Sequence, residues 1–352
     1  MAKRKDEKGK LERNIVFDVL KTVGWESFSS SDDDEPETQI VTGLHQLHKN
    51  LLYTTNDGII YTYNMSSNVH SQYIYPGNNL KIIATNKSEG DFETVMCFSD
   101  KLELRAIKNE CEELAAHESL HVKIQLLPSD FDISWGNSAS SASIPSLHAN
   151  ITVDDVAISG NVVAACFHVE TTRGSYINVY QYTDEHEKFE IKWTKQLNCR
   201  VNTLALDRKG NTLVLGGNNG NVYLYSTDGN PEWSEVFKDH EMNTVKDVAL
   251  SNEGELVAVT GNHKFVLLNN SRQSKFSLIG EDFNNVAFSD NNHVAVGFTG
   301  GIMLLNIDEN TEYFYRDTEK VPFTVGFVDN MLYGAHKQYI YQYNPLEFET
   351  PV

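Results

Sequence analysis

Short apolar runs separated by polar turns fill most of the chain, and from residue 201 onward their succession repeats. VNTLALD (201–207) passes through a turn at Lys209-Gly210-Asn211 into TLVLGG (212–217). It then passes through Asn218-Asn219-Gly220 into NVYLY (221–225). The same order returns in residues 245–251, a turn at Asn252-Glu253-Gly254, then 255–259 and 264–268, and once more in residues 285–289, 293–297 and 301–305. Runs this short, with Gly or Asn-Gly between them, predict β-strands joined by tight turns. Ala205 and Ala249 are 44 residues apart, and Ala249 and Ala287 are 38 apart.

A period near 40 with three or four strands per unit predicts a β-propeller. Seven units can be traced. The first holds runs at 40–41, 51–55, 59–63 and 72–75, with a hairpin signal at Asn56-Asp57-Gly58. The second has runs at 80–84, 93–98, 101–105 and 122–126, and the third at 156–158, 161–165, 177–182 and 191–193. Units at 201–237, 245–279, 286–316 and 323–343 follow. Residues 128–150, rich in Ser, Ala, Asn and Pro, break the rhythm and are read as an insertion, with an eighth blade as the alternative. The predicted fold is all-β: seven four-stranded blades over residues 39–352, preceded by an N-terminal extension, 1–38. Gly58 and Gly220 are expected at positive φ, where only glycine is free of strain.

The extension starts with a basic lead, residues 1–10. Leu11, Ile15, Val16, Val19, Leu20 and Val23 then recur at intervals of three and four, and Gly24 stands where a helix would stop. A docking or partner-binding helix over 11–24 is the favoured reading, and the propeller is then expected to stay folded without residues 1–38. Ile15, Phe17 and Val19 also alternate, so a strand that completes the last blade is the other reading, because the last unit lacks an outer strand. Residues 29–37, SSSDDDEPE, cannot build a core and predict a solvated linker. Serines followed by acids would also suit an acid-directed kinase.

Net charge is −20, and outside residues 1–38 there are 39 acidic against 22 basic side chains. Acidity spread through the repeats opposes direct nucleic-acid binding and suits a basic protein surface. No apolar run is long enough for a membrane span, and no apolar stretch follows the basic N-terminus as in a secretory leader. The expected location is cytoplasmic, and Cys97, Cys111, Cys166 and Cys199 are expected as free, buried thiols.

The phrases VNTLALDRKGNTLVLGGNNGNVYLYSTDGNPEW and VKDVALSNEGELVAVTGNHKFVLL resemble WD-repeats and the related repeats of quinoprotein-like propellers. The third strands end without a Trp-Asp dipeptide, and no regular Gly-His opens the units. The hydrogen-bond network those residues form in the family therefore does not carry over. Trp193 and Trp233, 40 apart, fall in fourth strands, as a single Trp per repeat does in quinoprotein-like propellers. They are expected to pack between blades.

No phosphate-cradling glycine loop, nucleophile elbow or helical His pair is present, and His45 and His48 lie in loop–strand context. No enzyme, metal or cofactor is expected. The loops from second to third and from fourth to first strands carry His168, Arg173, Arg200, Asn219, His263, His336 and Lys337. Cationic and imidazole groups at one propeller mouth would suit a carboxylate-bearing or phosphorylated peptide. The resemblance implies a non-catalytic intracellular scaffold for protein partners. Alternatives are a ligand- or cofactor-binding propeller with a small molecule in its channel, and a regulatory subunit of a nucleic-acid-processing complex.

Overall fold

The computed structural model describes residues 8–18, 41–47, 50–55, 60–64, 69–73, 80–86, 92–98, 103–108, 121–125, 151–169, 174–236, 242–337 and 339–345. Every regular element among them is a β-strand. β1 (Lys8–Asp18) comes first. Blade 1 follows with β2 (Val41–Leu47), β3 (Asn50–Thr55), β4 (Ile60–Asn64) and β5 (Val69–Tyr73). Blade 2 holds β6 (Leu80–Thr85), β7 (Phe92–Phe98), β8 (Glu103–Lys108) and β9 (His121–Gln125). Blade 3 holds β10 (Ile151–Ser159), β11 (Val162–Val169), β12 (Ser175–Thr183) and β13 (Lys188–Gln196). Blade 4 holds β14 (Val201–Leu206), β15 (Thr212–Gly217), β16 (Asn221–Ser226) and β17 (Pro231–Val236). Blade 5 holds β18 (Val245–Leu250), β19 (Leu256–Gly261), β20 (Lys264–Asn269) and β21 (Ser274–Ile279). Blade 6 holds β22 (Phe283–Phe288), β23 (His293–Phe298), β24 (Gly301–Asn306) and β25 (Thr311–Arg316). Blade 7 holds β26 (Thr324–Val328), β27 (Met331–His336) and β28 (Tyr339–Pro345), completed by β1. This is the seven-bladed all-β propeller that the period predicts. Residues 126–150 lie outside the described residues, as do Gly58 and Cys111.

The blades fall into two compact units. One is Met1–Ile74 with Phe237–Val352, the other Tyr75–Val236. Within each unit the core lies between neighbouring blades. Ala164, Cys166, Ile177 and Val179 of blade 3 pack on Val201, Leu204, Leu213 and Leu215 of blade 4. Ala295, Ile302 and Leu304 of blade 6 pack on Phe323, Val325 and Phe327 of blade 7. Second strands such as VVAACFHV are apolar along most of their length, His168 near the end excepted, because a blade covers each of their faces. Outer strands such as KFEIKWTKQ alternate, with one face in water. Cys97, Cys166 and Cys199 are free and buried, and burial pushes the Cys166 thiol well above its ordinary value.

The N-terminal segment departs from the favoured expectation. Residues 8–18 form no helix. They pair antiparallel with β28, from Leu11 opposite Pro345 to Asp18 opposite Tyr339, with a bulge between Ile15 and Phe17. Lys8, Gly9 and Lys10 then run parallel to β25, opposite Glu312, Tyr313 and Phe314. Blades 6 and 7 thereby become one eight-stranded sheet. The physical reason is the free edge of β28, whose N–H and C=O groups need partners. A short helix with β-branched Ile15 and Val16 is marginal alone, so the ladder wins. Residues 19–24 and the acidic run 29–37 lie outside the described residues.

A β-bulge interrupts the first strand of blades 1 to 6, and the residue after it ties blade to blade at three places. In blade 3, Asp155 Oδ2 accepts from the Leu204 N–H of blade 4 at 2.8 Å. In blade 5, Asp247 Oδ2 accepts from the Val286 N–H of blade 6 at 2.9 Å. In blade 6, Asn285 Oδ1 accepts from the Val325 N–H of blade 7 at 2.6 Å. These bonds join neighbouring first strands where the Trp-Asp signature is missing.

Candidate functional site

In each blade the first strand begins and the second strand ends at the same end of the antiparallel sheet, here termed upper. His168 sits near the end of β11, Arg200 between β13 and β14, and Asn219 between β15 and β16. His263 lies between β19 and β20, His336 ends β27, and Lys337 follows it. All six are thus at upper ends. Arg173 lies outside the described residues.

One carboxylate brings two of them together. Asp154 is the additional residue of the β10 bulge, and its side chain is only 6% exposed. Its Oδ2 lies 2.7 Å from His168 Nδ1. Its Oδ1 accepts from Arg200 Nη2 at 2.8 Å. A buried carboxylate needs such partners. With Nδ1 turned to the carboxylate, a neutral His168 keeps its proton there and offers Nε2 as an acceptor. Arg200 remains half exposed, so its other N–H groups can meet a ligand. The Arg200 carbonyl accepts from the Asn218 N–H at 2.8 Å, which fixes the Asn218-Asn219 turn beside the pair. Asn219 is exposed, and its Oδ1 accepts from the Asn221 N–H at 3.2 Å. His168, Arg200 and Asn219 therefore share one patch.

Sequence reasoning missed Asp154. Its signal was a polar doublet, Asp154-Asp155, inside a strand whose neighbours are apolar. The bulge residues of blades 5 and 6 are likewise polar, Lys246 and Asn284.

In the other unit, three cations at upper ends are paired with carboxylates. Lys337 Nζ donates to Glu319 Oε2 at 2.6 Å, and this bond holds the ammonium above the usual lysine range. Lys246 Nζ donates to Asp282 Oδ1 at 2.5 Å. Arg316 Nη1 donates to Glu281 Oε1 at 2.6 Å. His336 is a buried ring and not a solvated loop residue. It stacks on Tyr341 with centroids 5.2 Å apart, lies 4.6 Å from Phe323, and has Nε2 4.0 Å from Asp317. His263 is exposed, and its carbonyl accepts from the Gly280 N–H at 3.0 Å. Among the described residues no group of three or more His, Cys, Asp or Glu is placed to hold a metal ion, and no helix is long and apolar enough to cross a membrane.

The β-propeller domain of Cps50 (Swd1) from Myceliophteria thermophila has the same fold. The superposition covers 94% of this chain and 99% of that one, with a TM-score of 0.61 and 9% identity. At that identity the likeness is one of fold, a β-propeller. No protein-family model and no curated protein matches the sequence.

Proposed function

We propose that this chain is a non-catalytic propeller scaffold that docks a protein partner on the upper patch held by Asp154. The observation that carries the reading is the Asp154–His168–Arg200 cluster, where one buried carboxylate sets an imidazole beside an exposed guanidinium. Arg200 would take a carboxylate or phosphate on the partner peptide, and His168 Nε2 would accept from a neighbouring N–H or O–H. Asn219 extends this patch. His263 and Lys337 belong to separate loops of the other unit, and His336 packs in its interior. A propeller suits this work because its loops vary on a fixed frame. The partner is an intracellular protein, met where thiols such as Cys97, Cys166 and Cys199 stay reduced.

Co-purification of the tagged full chain with Arg200→Glu and His168→Ala variants tests the reading. Loss of a charge-assisted contact is worth roughly tenfold or more in affinity. A partner recovered stoichiometrically with the parent protein should be depleted by that factor with Arg200→Glu, compared at a temperature where the variant, which loses a partner of Asp154, remains folded. Equal recovery with both variants would refute the site.

A further inference from the structure

The lower ends of blades 3 and 4 enclose a cleft of about 490 Å³, lined by residues 159–162, 209–212 and 226–228 with Gln181, Lys192 and Glu232. None of the upper-patch residues lines it. Its walls are fixed by hydrogen bonds between the two blades. On the inner side, Ser159 Oγ donates to the Arg208 carbonyl at 2.8 Å. On the outer side, Trp193 Nε1 donates to the Thr227 carbonyl at 2.7 Å, and Lys192 Nζ meets Asp228 Oδ1 at 2.7 Å. The third-to-fourth turn of blade 4 is shaped around that indole. Gly229 has φ 86°, and a Cβ there would stand 3.2 Å from the Trp193 ring. The cleft is therefore preformed.

Its size suits a small ligand, but its chemistry does not suit an apolar cofactor, since such sites are mostly hydrophobic. Asn161, Gln181 and Asn211 supply side-chain amides, and Thr212 supplies a hydroxyl. Gln181 uses its N–H on the Asn161 carbonyl at 3.2 Å, which leaves its own oxygen as an acceptor. An amide presents a donor and an acceptor together, the complement of a peptide bond. Lys209 and Glu232, both exposed, add one charge of each sign. A ligand with only cations would meet Lys209, and one with only anions would meet Glu232.

The geometry points to a second docking site, for an extended peptide segment of another protein that carries a basic side chain close to an acidic one. The amides pair with the peptide backbone. Glu232 takes the basic side chain and Lys209 the acidic one.

The test is an NMR titration of the ¹⁵N-labelled full chain with four blocked peptides of one Gly/Ser framework, carrying Lys and Glu, Lys alone, Glu alone, or neither. Saturable shifts are expected at the side-chain amides of Asn161, Gln181 and Asn211 and at the backbone of Gly160 and Gly210, with the Lys/Glu peptide binding tightest. Exposed charge pairs are modest, so Glu232→Lys should weaken that peptide by roughly threefold to fivefold. Exchanging the peptide's Lys for Glu should recover the loss. Arg200→Glu should leave these shifts unchanged, which separates this site from the upper patch. No saturable shift with any peptide, equal affinity for the uncharged peptide, or the same shifts with a neutral oligosaccharide would overturn the proposal.

Discussion

Asp247 uses each of its oxygens on a different strand. Oδ1 accepts from the Val248 N–H of its own blade at 2.9 Å, and Oδ2 accepts from the Val286 N–H of the next. Asp247→Ala would leave both donors without this acceptor, at a cost of about 1–3 kcal/mol. Asp247→Asn keeps one side-chain oxygen and should fall between parent and alanine variant. Guanidinium unfolding midpoints check the order, and equal midpoints would show that the inter-blade bond contributes nothing. The residue was present in the sequence pattern as Asp155-Val156-Ala157, Asp247-Val248-Ala249 and Asn285-Val286-Ala287. It went unread because the apolar positions identify the strand, whereas a polar residue within it becomes meaningful only when the neighbouring first strand is beside it. His336 shows the converse. A histidine next to a turn reads as exposed, and only the arrival of Phe323 and Tyr341 makes it part of the interior. Gly220 was fully legible: its φ is 75°. Gly220→Val should lower stability by roughly 1 kcal/mol or more, seen as a lower melting temperature.

Strands 201–217 and 245–259 were readable because local pattern and tertiary environment agree there. Each second strand is apolar on both faces and each turn holds a glycine, Gly210 and Gly254 among them, with φ of 67° and 71°. β1 was ambiguous for a physical reason. Ile15, Val16 and Val19 satisfy a helical stripe, and Ile15, Phe17 and Val19 satisfy alternation, so neither period excludes the other. What decides is the open edge of β28, more than 300 positions away in the chain. The outer strand β13 carries a testable element-level contact. Trp193→Phe keeps much of the packing and removes the bond to the Thr227 carbonyl, so it should cost about 1 kcal/mol. It should also loosen the turn at residues 226–231, measured as faster amide exchange at Gly229. Unchanged exchange there would mean that the indole is not what holds the turn.

For the whole molecule, buried and half-buried tyrosines set an alkaline limit. Burial, with lesser contributions from neighbouring groups, pushes Tyr223 and Tyr333 up to about 12. Tyr53 and Tyr180 are driven higher still, again chiefly by burial. In the unfolded chain these phenols ionise near pH 10. A raised folded value means that the unfolded state loses protons first, so stability is fully present below about pH 10 and falls as pH rises toward 12. Unfolding midpoints at pH 9 and pH 11 should differ in that direction, and tyrosinate absorbance should stay incomplete until the protein unfolds. A midpoint that does not fall would contradict the burial of these rings. The measurement that bears most directly on the architecture is removal of residues 1–18. Without β1 the edges of β28 and of part of β25 lose their partner, and blade 7 becomes a three-stranded sheet. The truncated protein should melt lower by roughly 5 °C or more and self-associate, and a synthetic peptide of residues 8–18 added in trans should restore the parent melting temperature. A truncated protein that stays monomeric with the parent melting temperature, and ignores the peptide, would contradict a propeller whose last blade is completed by its own N-terminal strand.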